Sequence, residues 1–448
     1  MKESTKLIAF YLPQFHPIPE NDLWWGKEFT EWTNVRKAKP NFEGHYQPRY
    51  PGELGYYDLR DIEVQKKQIA LAKEFGVYGF CYYYYWFSGK RLLERPLDQF
   101  LENKDLDFPF CICWANENWT RRWDGLENEI LIAQNHTPED YHNFIRDVAP
   151  LLADSRYIRI GGKPLLIVYR VSLLPNPSQA AEIWRKECLR QGIGEVYLAA
   201  VQSFGIQDPR PYGFDAAIEF PPFEIPPIFV NKNSLNLINQ DFCGIIQDYR
   251  VTAALKMQEA VPVYTKFRTI IPGWDSTARR QNNSGIFANS SPAIYKKWLK
   301  EAVEYTKKHL PYDHQFIFIN AWNEWAEGAY LEPDKRYGRD YLQATKEALE
   351  LNPKNEKIFQ TPEEKIEDLN YLIKTLNEDS AGLREHTMTR DAQLLERDAQ
   401  LANIHASKAW KLTLWLRRLR LWVAPPQSIQ AEVIRIILKT IKKIAKIR

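Results

Sequence analysis

The sequence contains no run of 18 apolar residues, so nothing in it reads as a membrane-spanning helix. Its first residues, MKESTKLIAF, lack an apolar segment long enough for a secretory signal. Only five cysteines occur, and Cys81, Cys111 and Cys113 fall inside apolar, strand-like runs. They read as small buried hydrophobes in a reducing compartment rather than as a disulfide framework. No zinc site is expected, because a single residue separates Cys111 from Cys113 and no second Cys/His pair is suitably spaced. His16, His45 and His136 offer no metal-ligand spacing either. A doubly wound open sheet is the alternative architecture for an α/β chain, but no GxGxxG follows any candidate strand. Together these absences predict a cytoplasmic protein that needs neither metal nor cofactor.

Aromatic residues, in contrast, are plentiful: they make up 14% of the 448 residues, with 15 Trp and 24 Tyr. A thick core explains the excess as well as flat faces for stacking on sugar rings do. Charge is unevenly placed. Residues 407–448 hold eleven Lys/Arg against the single acid Glu432, a net of +10, which leaves −7 for residues 1–406 out of the total of +3.

Eight apolar, β-branched or aromatic runs recur at 7–15, 77–86, 108–118, 164–171, 196–204, 214–222, 261–272 and 314–322. Near-continuous runs of this kind suit parallel strands buried on both faces. Helical stripes fill most intervals, as at Asp61–Phe75, Glu139–Leu152, Gln179–Gln191 and Pro292–Lys308. The alternation predicts an α/β fold, a (β/α)8 TIM-type barrel over residues 1–360. A charged helical linker (361–406) and a basic amphipathic tail (407–448) are expected to follow.

Chemistry in such barrels sits at the C-terminal ends of the strands. There the sequence places Gln14, His16, Tyr84, Trp86, Asn116, Glu117, Asn118, Trp119, Arg170, Gln202, Glu219, Trp274 and Asp275, and finally NAWNEWAEG with Trp322, Asn323, Glu324, Trp325 and Glu327. Acids, amides and tryptophans together are what a carbohydrate pocket needs. The long connection 16–60 is expected to fold over that pocket, bringing Trp24, Trp25, Glu31 and Trp32. Arg121, Arg122, Arg279 and Arg280 lie in strand-end loops and are candidate clamps for a phosphate or diphosphate. Asp105-Leu106-Asp107 has the DxD form but precedes the third strand, at the wrong end of a barrel. Glu324 and Glu327 are the expected catalytic pair, since glycosyl chemistry needs two close carboxylates of unequal pKa.

The stretches AFYLPQFHPIPENDLWWGKEFTEWTNVRKAKP, YGFCYYYYWFSGKRLLERPL, CWANENWTRRWDG and NAWNEWAEGAYLEPD closely resemble the WbsX-like family. That resemblance covers about residues 5–350 and implies a glycosyltransferase of bacterial surface polysaccharide, such as O-antigen. The family is in turn similar to glycoside hydrolase family 99, barrel enzymes that cleave within α-mannosyl chains. The shared pattern is N-E-W-x-E-G followed by E-P, here Asn323 to Gly328 and Glu332-Pro333, with Ala326 where family 99 has histidine. By that resemblance Glu324 is the base, Glu327 the acid and Glu332 a site residue. The expected partners are a carbohydrate, a nucleotide sugar and a lipid-linked acceptor. Endo-acting hydrolysis and non-catalytic glycan binding are the alternatives.

RDAQLLE (390–396) and RDAQLAN (397–403) form a two-heptad repeat, too short to establish a coiled coil. Beyond it, SKAWKLTLWLRRLRLWVAPP (407–426) resembles a segment at the ends of bacterial polysaccharide glycosyltransferases. Ile434, Ile437, Ile441 and Ile444 then form one helical face opposed by lysines. This pattern predicts binding to an anionic membrane surface, not to nucleic acid, and a place at the inner face of the cell membrane.

Overall fold

The computed structural model describes residues 5–350 apart from 122–125, 226–229 and 231–234. The predicted linker and tail therefore lie outside the described residues. Eight short strands follow one another along the chain: β1 (Lys6–Tyr11), β2 (Val77–Phe87), β3 (Phe110–Trp114), β4 (Lys163–Val168), β5 (Tyr197–Val201), β6 (Ala216–Ile218), β7 (the two pieces Lys266–Phe267 and Thr269–Ile270) and β8 (Phe316–Ile319). Each pairs in parallel with the next, from β1·β2 through β5·β6. The first piece of β7 pairs with β6 and the second with β8, on either side of Arg268. β8 returns to β1, with Lys6 opposite Phe316. The sheet thus closes but for that break, and all eight predicted strands form its wall.

Helices occupy most of the crossovers, α4 (Arg95–Glu102) between β2 and β3 among them, and local chemistry sets their ends. Asp61 caps α3 (Ile62–Glu74) by accepting from the Glu63 amide at 3.0 Å. Thr137 and Asp140 form a capping box at α5 (Pro138–Ala153), with proline at the first position, where its missing N–H costs nothing. Asn176 caps α6 (Pro177–Arg190) and Ser291 caps α9 (Pro292–His309). The stripe Tyr295, Trp298, Leu299, Ala302 and Val303 buries α9 against the wall.

Strand residues alternate between two packed faces. Inside the barrel, the Phe10 ring lies 5.0 Å from Phe220 and 5.6 Å from both Phe318 and Tyr83. Outside, Trp114 stacks on Phe144 of α5 at 4.3 Å, and Trp86 meets the same ring at 5.5 Å. The connection 16–60 carries two short helices, α1 (Pro19–Trp25) and α2 (Glu31–Lys37), and is tied to the strand ends through His45 on Asp275 and Pro51 on Asp334. Among the described residues, no helix is long and apolar enough to cross a membrane.

Candidate active site

After β8 the chain makes a tight turn. Asn323–Glu324 pairs antiparallel with Ala329–Tyr330 across the single turn Trp325–Glu327. Gly328 closes it at φ 63°, and a Cβ there would sit 2.9 Å from that of Asp275, so only glycine fits. The Asn323 amide mimics a strand partner: its Oδ1 accepts from Leu12 N at 2.8 Å and its Nδ2 donates to Leu12 O at 3.0 Å. Trp325 stacks on Tyr330 at 3.9 Å. Behind the turn, Glu332 accepts from Trp325 Nε1 (2.6 Å), Gln68 Nε2 (2.7 Å) and Tyr57 Oη (2.9 Å). Burial raises the Glu332 carboxyl to about 7, against the opposing pull of those bonds.

This scaffold holds Glu324 and Glu327 against one guanidinium. Arg279 Nη2 donates to Glu324 Oε2 at 3.0 Å, and its Nη1 donates to Glu327 Oε1. The same Nη2 and Nε reach Glu31 Oε2 at 2.7 and 3.0 Å, and Asn34 Nδ2 fixes the other Glu31 oxygen at 2.9 Å. Glu31 is fully buried, Glu324 almost so, and Glu327 remains 23% exposed. Three carboxylates around one cation in a poorly solvated place cannot all stay ionised. Burial raises Glu324 to about 8; Arg279 pulls it down, but by less than burial and the Glu327 and Glu31 charges push it up. Burial thus favours the protonated form of Glu324, whereas the resemblance implies that Glu324 is the base.

The remaining walls are aromatic. Trp119 lies within 5.8 Å of Trp24, 5.1 Å of Tyr85 and 5.7 Å of Phe87, which forms a rim between α1 and the end of β2. Tyr83, Tyr85 and Tyr169 are kept protonated by burial and by the Glu324, Glu327 and Glu117 charges around them. Arg170 Nη1 pairs with Glu117 at 2.6 Å, and its guanidinium stacks on Phe204 at 3.6 Å.

Several expected contacts lie elsewhere, for identifiable reasons. Tyr84 and Trp86 point outward: Tyr84 Oη bonds Asp147 of α5, and Trp86 is fully buried. The alternation of β2 gives the pocket Tyr83 and Tyr85 instead. Trp322 and Trp325 are also buried, and Trp32 donates to Tyr57 O at 2.8 Å, so these indoles build the scaffold and do not wall the pocket. His16 is buried, its Nδ1 3.0 Å from Pro13 O, and desolvation lowers it to about 4. Gln202 donates to Gln207 O and Tyr264 Oη. Glu219 faces the helix layer, where Arg268, Lys266 and Lys256 reach it at 2.8, 3.0 and 3.2 Å and hold its carboxyl well below the usual range despite burial. Asp275 is a brace as well: burial opposes its charge, but His45 (2.8 Å), Arg49 and the Thr277 amide outweigh burial and bring it to about 2. Glu332 sits behind the turn rather than in the pocket.

Asn116 clasps the Arg170 backbone at both ends, and Asn118 accepts from Gln134 N at 2.7 Å. Trp25 packs 6.1 Å from Phe29, and the Trp274 indole edge lies against Gly285. Arg279 is the hub of the acid cluster, not a phosphate clamp. Arg280, next to it, ends α8 (Thr277–Arg280). Arg122 and the side chain of Arg121 lie outside what is described. Asp105 and Asp107 are exposed ahead of β3, at the end of the barrel away from the acids. Among the described residues, no three His, Cys, Asp or Glu side chains converge as a metal site would require. Tyr83, Tyr85, Tyr169 and the hub role of Arg279 escape a reading by strand ends; the period-2 count along YYYYW is the one signal that picks out the two β2 tyrosines.

The sequence profile of the family described as Glycosyltransferase WbsX matches residues 7–345. Two curated proteins called "Uncharacterized protein WxcX", from two strains of Xanthomonas campestris pv. campestris, are each 50% identical over 347 residues, or 78% of this chain and 50% of theirs. The chain thus spans about half the length of the curated relatives it matches. Among solved structures, a "Glycoside hydrolase-like protein" aligns at TM-score 0.51 and 14% identity, over 78% of this chain and 95% of that one. That likeness supports the barrel fold. A GH99 endo-alpha-mannosidase from Bacteroides thetaiotaomicron aligns at TM-score 0.49 and 17% identity, over 77% and 96%.

Proposed function

The chain belongs to the WbsX glycosyltransferase family, and from that premise we propose that it transfers glycosyl units in the making of a bacterial surface polysaccharide such as O-antigen. The observation that carries this reading is the pair Glu324 and Glu327, held side by side on Arg279 at the end of β8, where burial favours the protonated form of Glu324. Breaking a glycosidic bond needs a proton for the departing oxygen and a carboxylate for the incoming hydroxyl. A pair with one shared proton supplies both, whichever member donates first. The base role that the resemblance implies for Glu324 requires its proton to pass to Glu327 when substrate enters. Trp24, Trp119 and Tyr85 offer faces for sugar rings, and Glu117 with Arg170 offers hydroxyl contacts.

Glu324→Gln and Glu327→Gln should each lower turnover at least about a hundredfold, the scale of general acid–base catalysis, while leaving the fold intact. Near-normal turnover in either variant removes that residue from the mechanism. Endo-acting hydrolysis is the second reading, favoured by the same acid pair within an N-E-W-x-E-G pattern.

Residues 407–448, with their net charge of +10, are proposed to hold the enzyme on the inner face of the membrane, near a lipid-linked acceptor. The full chain should sediment with anionic liposomes and a 1–360 truncation should not. Equal binding by the truncation sinks the anchor.

A further inference from the structure

Building on the glycosyl-transfer reading above, we propose that the donor is itself a neutral glycan and that the reaction is transglycosylation, with no nucleotide involved. The first ground is charge. Around the acid cluster and its flank, the described ion pairs engage four carboxylates, Glu31, Glu117, Glu324 and Glu327, with two guanidiniums, Arg170 and Arg279. Both guanidiniums are already engaged: Arg279 by three of the acids, Arg170 by Glu117 and the Phe204 ring. A nucleoside diphosphate sugar brings two further negative charges. It needs cations placed where its leaving group gathers charge. Turning Arg279 toward a diphosphate would leave the fully buried Glu31 with an uncompensated charge.

The second ground is the leaving group. A nucleoside diphosphate departs readily as an anion and needs no proton. A sugar alcohol departs only if its oxygen is protonated. The site invests in a proton donor, a buried carboxyl on Glu324 beside the more open Glu327. It also offers the partly exposed rings of Trp24 and Trp119, which suit a chain of sugars better than a nucleotide's phosphates.

The step balances without a co-reactant. The C1–O bond of the donor glycan breaks, and the departing oxygen takes the proton of the Glu324–Glu327 pair. C1 bonds to a hydroxyl oxygen of the acceptor glycan, whose proton returns to the pair. One glycosidic bond is exchanged for another, and the number of reducing ends stays constant.

The test uses the full chain with neutral mannan, galactan, rhamnan and glucan as donors and 2-aminobenzamide-labelled oligosaccharides of each as acceptors. A parallel set adds UDP-, GDP- and dTDP-sugars. Label should enter longer chains of at least one glycan without any nucleotide, and at least about a hundredfold more slowly with Glu324→Gln. No label movement with any neutral glycan overturns the proposal, as does the appearance of new reducing ends in place of label movement. Nucleotide release that Glu324→Gln abolishes also overturns it, while leaving the acid pair in place. Label movement that persists in both Glu324→Gln and Glu327→Gln removes the pair itself.

Discussion

Replacing Glu324 by glutamine should make the protein more stable, and increasingly so as pH rises. Glutamine has the shape of the protonated acid and still accepts from Arg279, but it has no proton to keep. In the wild-type fold, burial holds the Glu324 carboxyl at about 8, against 4.5 in an ordinary setting. The sign follows: a group with a raised folded pKa contributes its full stability below the unfolded value and loses it as pH climbs toward the folded one. Each pH step of one between those limits costs about 1.4 kcal/mol. At pH 7 the wild-type fold therefore gives up on the order of 3 kcal/mol that the variant keeps. For a domain of this size about 2 °C of Tm accompanies each kcal/mol, so the gap should be roughly 6 °C at pH 7 and close to nothing near pH 4.5. The assay is thermal unfolding of both proteins across pH 4.5–8, with no substrate needed. A gap that stays constant with pH, or narrows as pH rises, refutes the placement of the proton.

Turnover should fall as pH rises through about 8, because the proton that the pair must donate then leaves Glu324; a rate that stays flat well beyond that pH contradicts the shared-proton argument. Within β2, Trp86→Ala should cost about 3–5 kcal/mol in denaturant unfolding, as expected for emptying a buried indole site. Tyr85→Phe should leave stability nearly unchanged and instead lower turnover or raise KM, and the reverse pattern would mean that the facing of the strand is misassigned.

The wall of the barrel was legible because its strands are buried on both faces and read as unbroken apolar runs. Helix starts were legible in part: the stripes from Asp61 and Pro292 begin at the Asp61 and Ser291 caps, whereas α5 starts behind Thr137, ahead of the stripe expected from Glu139. The acid pair was legible because two carboxylates beside an apolar strand need a reason. Facing was harder. In YYYYW every residue suits either side of a strand, so the stretch itself does not say which tyrosines face inward, and Tyr84 and Trp86 face outward. Tryptophan richness near the acids misled in a similar way, since Trp322 and Trp325 serve the turn and not the ligand. Arg279 was visible as a strand-end arginine, but its role depends on Glu31, 248 residues earlier, and on Glu324, 45 residues later. No local pattern encodes a contact of that reach. Glu219 shows the same limit, because its neutralising partners lie on β7, at the break within it and on α7 (Tyr249–Met257).

The clasp between Asn323 and Leu12 joins residues 311 positions apart, and this bears on the order in which the molecule is made. Synthesis delivers Glu31 and the β2 tyrosines early, but Arg279 comes late and Glu324 and Glu327 arrive with the stretch that also seals β8 against β1. A chain released before that point has an open edge at β1 and neither member of the acid pair. Premature termination therefore yields a product without the acid pair, while its unpaired strand marks it for proteolysis. Ribosome stalling or a nonsense codon upstream of residue 320 should thus leave a chain that lacks both acids of the pair.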